Sequence, residues 1–87
     1  MYTYIGGLEK MKVLYFAMLR EKLGRHEEDL GFNGTVGEFR KLLIQKYPEL
    51  RPIIEKVRFA VNEEYVDDEH FLRGDETVAI IPPVSGG

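Results

Sequence analysis

The sequence predicts an α+β domain in which a mixed β-sheet packs on one main helix. Three observations predict this class: a capped amphipathic pattern in the middle of the chain, short patterns of strand type on both sides of it, and a stiff ending, Pro-Pro-Val-Ser-Gly-Gly. With 87 residues, 44% of them hydrophobic, the chain has enough material for a single modest core. It is too short for a second domain or for a deep catalytic cleft of its own.

The first strand is predicted at residues 11–19, MKVLYFAML, where apolar, β-branched and aromatic residues follow one another almost without interruption. Such a run is typical of a central strand that is covered on both faces. A short helical turn is expected to begin near Ala17 and to end at Gly24. Residues 28–32 predict a weaker second strand that pairs back on the first as a hairpin.

The main helix is predicted to begin at Thr35, because Thr35 and Glu38 have the spacing of a capping box. Pro48 is expected to end it, since a proline disfavours helical geometry in the residue before it. The apolar face of this helix comprises Val36, Phe39, Leu42, Leu43 and Tyr47. The opposite, solvent-facing side is expected to carry Arg40, Lys41 and Gln45.

The second half of the chain predicts further strands. Residues 49–56 are interrupted by Pro52 and are expected to form a loop with one helical turn. Residues 57–62 alternate between apolar and other side chains, as a half-buried strand does, and residues 63–66 form a short return strand. The residues at 67–76 are typical of turns, with a tight reversal expected at Gly74 and Asp75. A last strand is predicted over 77–81.

The order strand, strand, helix, strand, short strand, strand predicts a β-grasp arrangement like that of ubiquitin. A ferredoxin-like or other small α+β domain has a compatible order. Residues 1–10 are interpreted as an N-terminal extension and residues 11–87 as the domain, with a flexible Gly-Gly tail at 82–87.

Composition excludes several functions. Twelve basic and fifteen acidic residues give a formal charge of −3, which argues against nucleic acid as a direct partner. The absence of cysteine excludes disulfides, thiolate metal sites and cysteine nucleophiles within this chain. No apolar stretch approaches the length of a membrane span, and the N-terminus lacks the layout of a signal peptide. We therefore expect no membrane contact and a cytoplasmic location.

Three stretches resemble the ubiquitin-like sulfur-carrier family, above all the small subunits of molybdopterin synthases. They are KVLYFAMLREKLG at 12–24, AVNEEYV at 60–66 and GDETVAIIPPVSGG at 74–87. The chain is similar, more distantly, to the thiamine-pathway sulfur carrier and to archaeal ubiquitin-like modifiers. The N-terminal extension departs from the family pattern.

The resemblance implies that the carboxylate of Gly87 is adenylated by a ubiquitin-activating-type enzyme, which uses ATP and magnesium, and is then converted to a thiocarboxylate. It also implies that a larger synthase subunit uses this sulfur, in a heterotetramer of two small and two large subunits. The chain itself would be a non-catalytic, sulfur-donating subunit that binds no cofactor.

The tail residues suit this delivery. Pro82 and Pro83 fix the backbone and donate no hydrogen bond, so they end the last strand and project a stiff stalk. Gly86 and Gly87 lack Cβ atoms, so they can enter a channel that is too narrow for side chains. Residues 83–87 would reach about 17 Å when extended.

Other residues are candidates for contact with partners. Phe16, Tyr65 and Ile81 are predicted to form an apolar patch near the base of the tail, although all three also fit a core position. Arg20 could form an ion pair with a partner or could simply be a solvated loop residue. Arg73 could serve similarly, but a solvated position is favoured for it. The predicted partner interface comprises Phe16, Arg20, Tyr65, Ile81, Pro82, Pro83, Val84 and Ser85.

No metal site is predicted, because the acidic run at 63–69 lacks the spacing of a calcium loop and is better interpreted as a solvated acidic edge that steers association. His26 and His70 have the surroundings of ordinary surface histidines. Two other functions stay open: a protein modifier joined through Gly87 to lysines of other proteins, and a β-grasp binding module with an inert tail.

Overall fold

The computed structural model describes residues 9–83, so residues 1–8 and 84–87 lie outside the described part. The predicted extension at 1–10 and tail at 82–87 therefore fall largely outside it. The seven strands of the described part are β1 (Met11–Tyr15), β2 (Glu27–Leu30), β3 (Gly34–Thr35), β4 (Arg58–Val61), β5 (Glu64–Val66), β6 (Phe71–Leu72) and β7 (Thr77–Ile81). The helices are α1 (Ala17–Leu23), α2 (Val36–Lys46) and α3 (Arg51–Ile54), with a 3₁₀ turn at Pro48–Leu50 between α2 and α3.

Five strands form one mixed sheet in the order β2-β1-β7-β4-β5. β1 and β7 are parallel, while β2, β4 and β5 are antiparallel to their neighbours. One face of the sheet packs on α2 and the short helical segments that follow it, and the core lies between them. This arrangement confirms the predicted α+β class and the mixed sheet on one main helix.

β1 is shorter than predicted, and it is not covered on both faces. Met11, Val13 and Tyr15 are buried, whereas Lys12 is exposed and Leu14 is half-buried. The strand ends because the backbone of Ala17 has a positive φ of 52°, which turns the chain into α1. The continuous apolar run therefore combines a half-buried strand with the start of a helix, and the helical turn from Ala17 to Gly24 is confirmed.

The capping box of α2 is confirmed. The Thr35 hydroxyl accepts a hydrogen bond from the Glu38 amide at 3.1 Å, and the Glu38 carboxylate accepts one from the Thr35 amide at 2.9 Å. Val36, Phe39 and Leu43 are buried against the sheet. α2 ends at Lys46, before Pro48 as predicted.

The prediction that Arg40 lies on the solvent side of α2 is wrong. Only 17% of its side chain is exposed, and the guanidinium lies 4.9 Å from the centre of the Phe59 ring. Its Nη1 donates hydrogen bonds to the carbonyl oxygens of Ile54 at 2.8 Å and Val57 at 3.0 Å. Arg40 is thus part of the packing between α2, α3 and the start of β4.

The stretch predicted as turn chemistry also contains a strand. Phe71 and Leu72 form β6, which pairs antiparallel with β3. Leu72 is fully buried while Phe71 is 58% exposed. A two-residue strand is too short to show a period, so its pairing partner rather than its sequence defines it.

Glu76 organises the turn that leads from β6 into β7. Its buried carboxylate accepts hydrogen bonds from the backbone amides of Arg73 at 2.8 Å, Gly74 at 2.9 Å and Asp75 at 3.1 Å. Burial alone would raise the pKa of Glu76, but these amide hydrogen bonds outweigh it and lower the pKa below its usual value. The predicted reversal at Gly74 is therefore fixed by an ionised side chain.

Replacing Glu76 with Gln should destabilise the protein by about 1–3 kcal/mol at pH 7, because an amide accepts fewer of these hydrogen bonds than a carboxylate. The contribution of the Glu76 charge is fully present above the unfolded pKa of about 4.3 and is lost as pH falls through the lower folded pKa. Urea unfolding at pH 7 and at about pH 3 measures both effects. The difference between E76Q and the parent should shrink in acid, while the exposed control E49Q should unfold like the parent at both pH values.

Candidate functional site: the root of the tail

The tail leaves from the centre of the sheet, because β7 lies between β1 and β4. At the end of β7, Ile81 pairs with Arg58 of β4, and Ile80 pairs with Tyr15 of β1. β7 is therefore paired on both sides up to Ile80, and its last residue, Ile81, is paired with β4. The rigid part of the sheet fixes where the tail begins and in which direction it starts.

Two prolines follow β7, and the structure places them differently. Pro83 is exposed, but Pro82 is buried. Pro82 therefore helps to anchor the start of the tail, and its assignment to the partner interface stays a prediction. Val84, Ser85, Gly86 and Gly87 lie outside the described residues, so their predicted roles stay predictions.

The sheet face that points away from α2 is named here the outer face. One row of paired residues crosses it, made of Leu14, Ala79, Ala60 and Tyr65. The next row, toward the tail, contains Ile81 and Arg58. Phe16 follows β1 in extended geometry, one position beyond the Tyr15–Ile80 pair, and thus lies beside Ile81.

The structure brings Phe16, Tyr65 and Ile81 to one surface. Phe16 is 43% exposed and Tyr65 57% exposed, and Ile81 is half-buried. The core alternative is thereby excluded for Phe16 and Tyr65. Together with Arg58, whose guanidinium lies 4.2 Å from the centre of the Tyr65 ring, these residues are named the tail-root patch.

Of the two arginines singled out from the sequence, Arg20 follows Phe16 by one helical turn, and its amide lies 3.4 Å from the Phe16 carbonyl oxygen. Arg20 is exposed on α1, where its Nη1 lies 3.4 Å from Nδ1 of His26. Arg73 is 77% exposed and comes before β7, at the opposite end of that strand from the tail. Arg58 was not singled out from the sequence, because an arginine that alternates with core residues is typical of any solvated strand face.

The acidic run is partly engaged within the protein. Asp68 accepts hydrogen bonds from Nη2 of Arg40 at 2.7 Å and from its Nε at 3.2 Å. Asp67 accepts one from the Glu69 amide at 3.0 Å. Within residues 9–83, no group of three or more His, Asp or Glu side chains is arranged to hold a metal ion.

A polar cluster below the sheet supports the residues next to Phe16. Glu28 accepts hydrogen bonds from the hydroxyls of Tyr15 at 2.6 Å and Tyr47 at 3.1 Å, and it is also paired with Arg25. Burial alone would raise the pKa of Glu28, but the two tyrosine hydrogen bonds and the nearby cations lower it overall. The cluster ties the end of β1 to β2 and α2, so Phe16 projects from a fixed position.

Among residues 9–83, no helix has the length and apolar character that crossing a bilayer needs.

The sheet order and the central strand that leads into the tail place the chain in the class of ubiquitin-like β-grasp proteins. The sequence model of the ThiS family matches residues 13–87. The chain belongs to this family.

Named relatives cover nearly the whole chain. The chain is 39% identical over 82 residues to the molybdopterin synthase sulfur carrier subunit of Chlamydomonas reinhardtii, an alignment that covers 90% of this chain and 99% of the relative. It is 41% identical over 81 residues to the protein of the same name from Mycobacterium tuberculosis, covering 90% and 98%. Among solved structures, small archaeal modifier protein 1 from Methanosarcina acetivorans superposes with a TM-score of 0.75 at 28% identity, covering 91% of this chain and 97% of that protein.

Proposed function

We propose that this protein is the sulfur carrier of a molybdopterin synthase. The observation that carries the proposal is the identity of 39% and 41% to sulfur carrier subunits over nearly their whole lengths. The tail that follows the central strand, anchored at Ile81 and Pro82, supports it because a carrier must present its end to other proteins.

The chemistry takes place at Gly87. A carboxylate is ionised well above its pKa of about 3.5 and is a poor electrophile. An activating enzyme joins it to the AMP of ATP and releases pyrophosphate, which gives the carbonyl a leaving group. A sulfur nucleophile then displaces AMP and leaves a thiocarboxylate. ATP and magnesium belong to the activating enzyme, and this chain supplies the reacting carbonyl.

The thiocarboxylate then donates its sulfur in the active site of the large synthase subunit, which converts cyclic pyranopterin monophosphate to molybdopterin. The product carries two sulfurs, so two thiocarboxylated carriers are used for each molecule of molybdopterin. This number fits a heterotetramer of two small and two large subunits. In this assembly the tail-root patch contacts the large subunit beside the tail. Exposed aromatic rings on a rigid sheet suit such a contact, because they bury large area at little conformational cost.

The direct test is mass spectrometry of the intact protein and of its C-terminal peptide. The protein is incubated with the activating enzyme, ATP and a sulfur source, and is then treated with a thiol-alkylating reagent. Because the chain contains no cysteine, an alkyl group on the last peptide identifies a thiocarboxylate. A protein that forms neither adenylate nor thiocarboxylate would instead be a binding module with an inert tail, which would also tolerate residues appended after Gly87.

A second candidate function is protein modification through Gly87. The likeness to small archaeal modifier protein 1, at 28% identity and a TM-score of 0.75, favours it. Modification shares the adenylation step with sulfur transfer, so the two functions diverge only at the acceptor. A Gly-Gly remnant on lysines in digests of cells that express the protein would demonstrate it.

A further inference from the structure

The guanidinium of Arg58 is held in place at the root of the tail and has no partner of opposite charge among residues 9–83. It lies 4.2 Å from the centre of the Tyr65 ring, and its backbone pairs with Ile81, the last strand residue before the tail. None of the five ion pairs formed within residues 9–83 involves Arg58. Lys12, on the same outer face, is paired with Glu27 at 3.3 Å.

Little of the fold depends on this arrangement. A cation over an exposed ring contributes little to stability, and both Arg58 and Tyr65 are exposed. The stack does, however, restrict the flexible arginine side chain and leaves the N–H edge of its guanidinium without an ion pair to any of residues 9–83. That edge matches the geometry of a carboxylate, which it can bind through two parallel hydrogen bonds.

We propose that Arg58, held over Tyr65, binds an aspartate or glutamate side chain of the large synthase subunit at the mouth of the channel that receives the tail. This inference rests on the proposed function and names the chemistry of the partner surface. It adds one charged contact to a patch that is otherwise apolar and aromatic. Such a contact fixes the orientation of docking and speeds the encounter of the two subunits.

The anion belongs to the partner protein rather than to a nucleotide or pterin phosphate. Under the proposed function both small molecules react with Gly87, so their phosphates would be bound near the tip of the tail. A fully extended tail would place Gly87 about 13 Å beyond Pro83, whereas Arg58 lies at the root. A group that meets Arg58 is therefore at the surface of the partner, outside the reaction chamber.

The test measures binding of the full chain to the purified large subunit from the same organism, by isothermal titration calorimetry at about 50 mM and about 500 mM salt, where the screening length falls severalfold. The variants are R58E and the control R73E, which makes the same charge change at the opposite end of β7. We expect R58E to weaken binding about tenfold or more at low salt and distinctly less at high salt. R73E should stay within about twofold of the parent, since it lies outside the interface.

Three results would overturn the inference. Equal binding of R58E and the parent would do so while leaving the proposed function intact, provided that the parent binds and forms the thiocarboxylate. A loss of affinity that is the same at both salt concentrations would exclude a charge contact. A parent chain that does not bind the large subunit at all would overturn both the inference and the proposed function. Thermal unfolding checks that R58E is folded, with a midpoint within about 4 °C of the parent, as expected for an exposed site.

Discussion

Removing Gly87 should abolish molybdopterin formation while leaving the fold unchanged. The deletion shortens the tail by about 3.3 Å, and a displacement of only about 1 Å at a reacting centre can cost about 100-fold in rate. We therefore expect product formation to fall by at least about 100-fold. The measurement is dithiolene formation from cyclic pyranopterin monophosphate by the reconstituted synthase. The parent carrier, and the deletion variant if it accepts sulfur, are added as thiocarboxylates.

The control separates chemistry from folding and docking. The deletion lies beyond β7 and both prolines, so thermal unfolding and affinity for the large subunit should match the parent within error. A variant with alanine at Gly86 keeps the length of the tail but adds one methyl group at the narrow passage, and it should also lose activity. Full dithiolene synthesis by the deletion variant would show that Gly87 does not carry the sulfur.

The sequence allowed the framework of the site to be predicted, because the decisive signals are local. The Thr35–Glu38 capping box involves residues three apart, and the strand pattern at 77–81 ends directly before two prolines. Both features were found where they were predicted. For Phe16, Tyr65 and Ile81 the sequence left a surface patch and a core position both open, and the structure places Phe16 and Tyr65 on the surface.

Other features depend on contacts between distant parts of the chain and left no local signal. Pro82 looks like the first residue of an exposed stalk, yet it is buried at the end of β7. Arg58 and Tyr65 are seven positions apart in sequence, and only the β4–β5 hairpin places them diagonally on one face. The pairing of β3 with β6 likewise joins residues that are far apart in the chain.

The contacts of Arg40 also join distant parts of the chain and could not be predicted from the sequence. Replacing Arg40 should destabilise the protein more than replacing Glu76. The side chain connects four parts of the structure: α2, which carries it, the carbonyl of Ile54 in α3, the carbonyl of Val57 before β4, and Asp68 after β5. Its stem and guanidinium also cover the Phe59 ring. Helical spacing alone places Arg40 beside Lys41, on the side that normally faces water.

We expect R40A to lower the free energy of unfolding by about 2–4 kcal/mol, because two carbonyl groups and Asp68 lose a charged donor at once. For a domain of this size the midpoint of thermal unfolding should fall by about 10 °C or more. R40K keeps the charge but lacks the planar fork that reaches both carbonyls and Asp68 together, so it should recover only part of the loss. K41A, one residue along the same helix and exposed, is the matched control and should unfold within about 0.5 kcal/mol of the parent. Equal stability of R40A and K41A in urea and thermal unfolding would contradict this prediction. It would mean that the guanidinium does not join α2 to α3 and to the loop after β5 in solution, and that Arg40 faces solvent as helical spacing predicts.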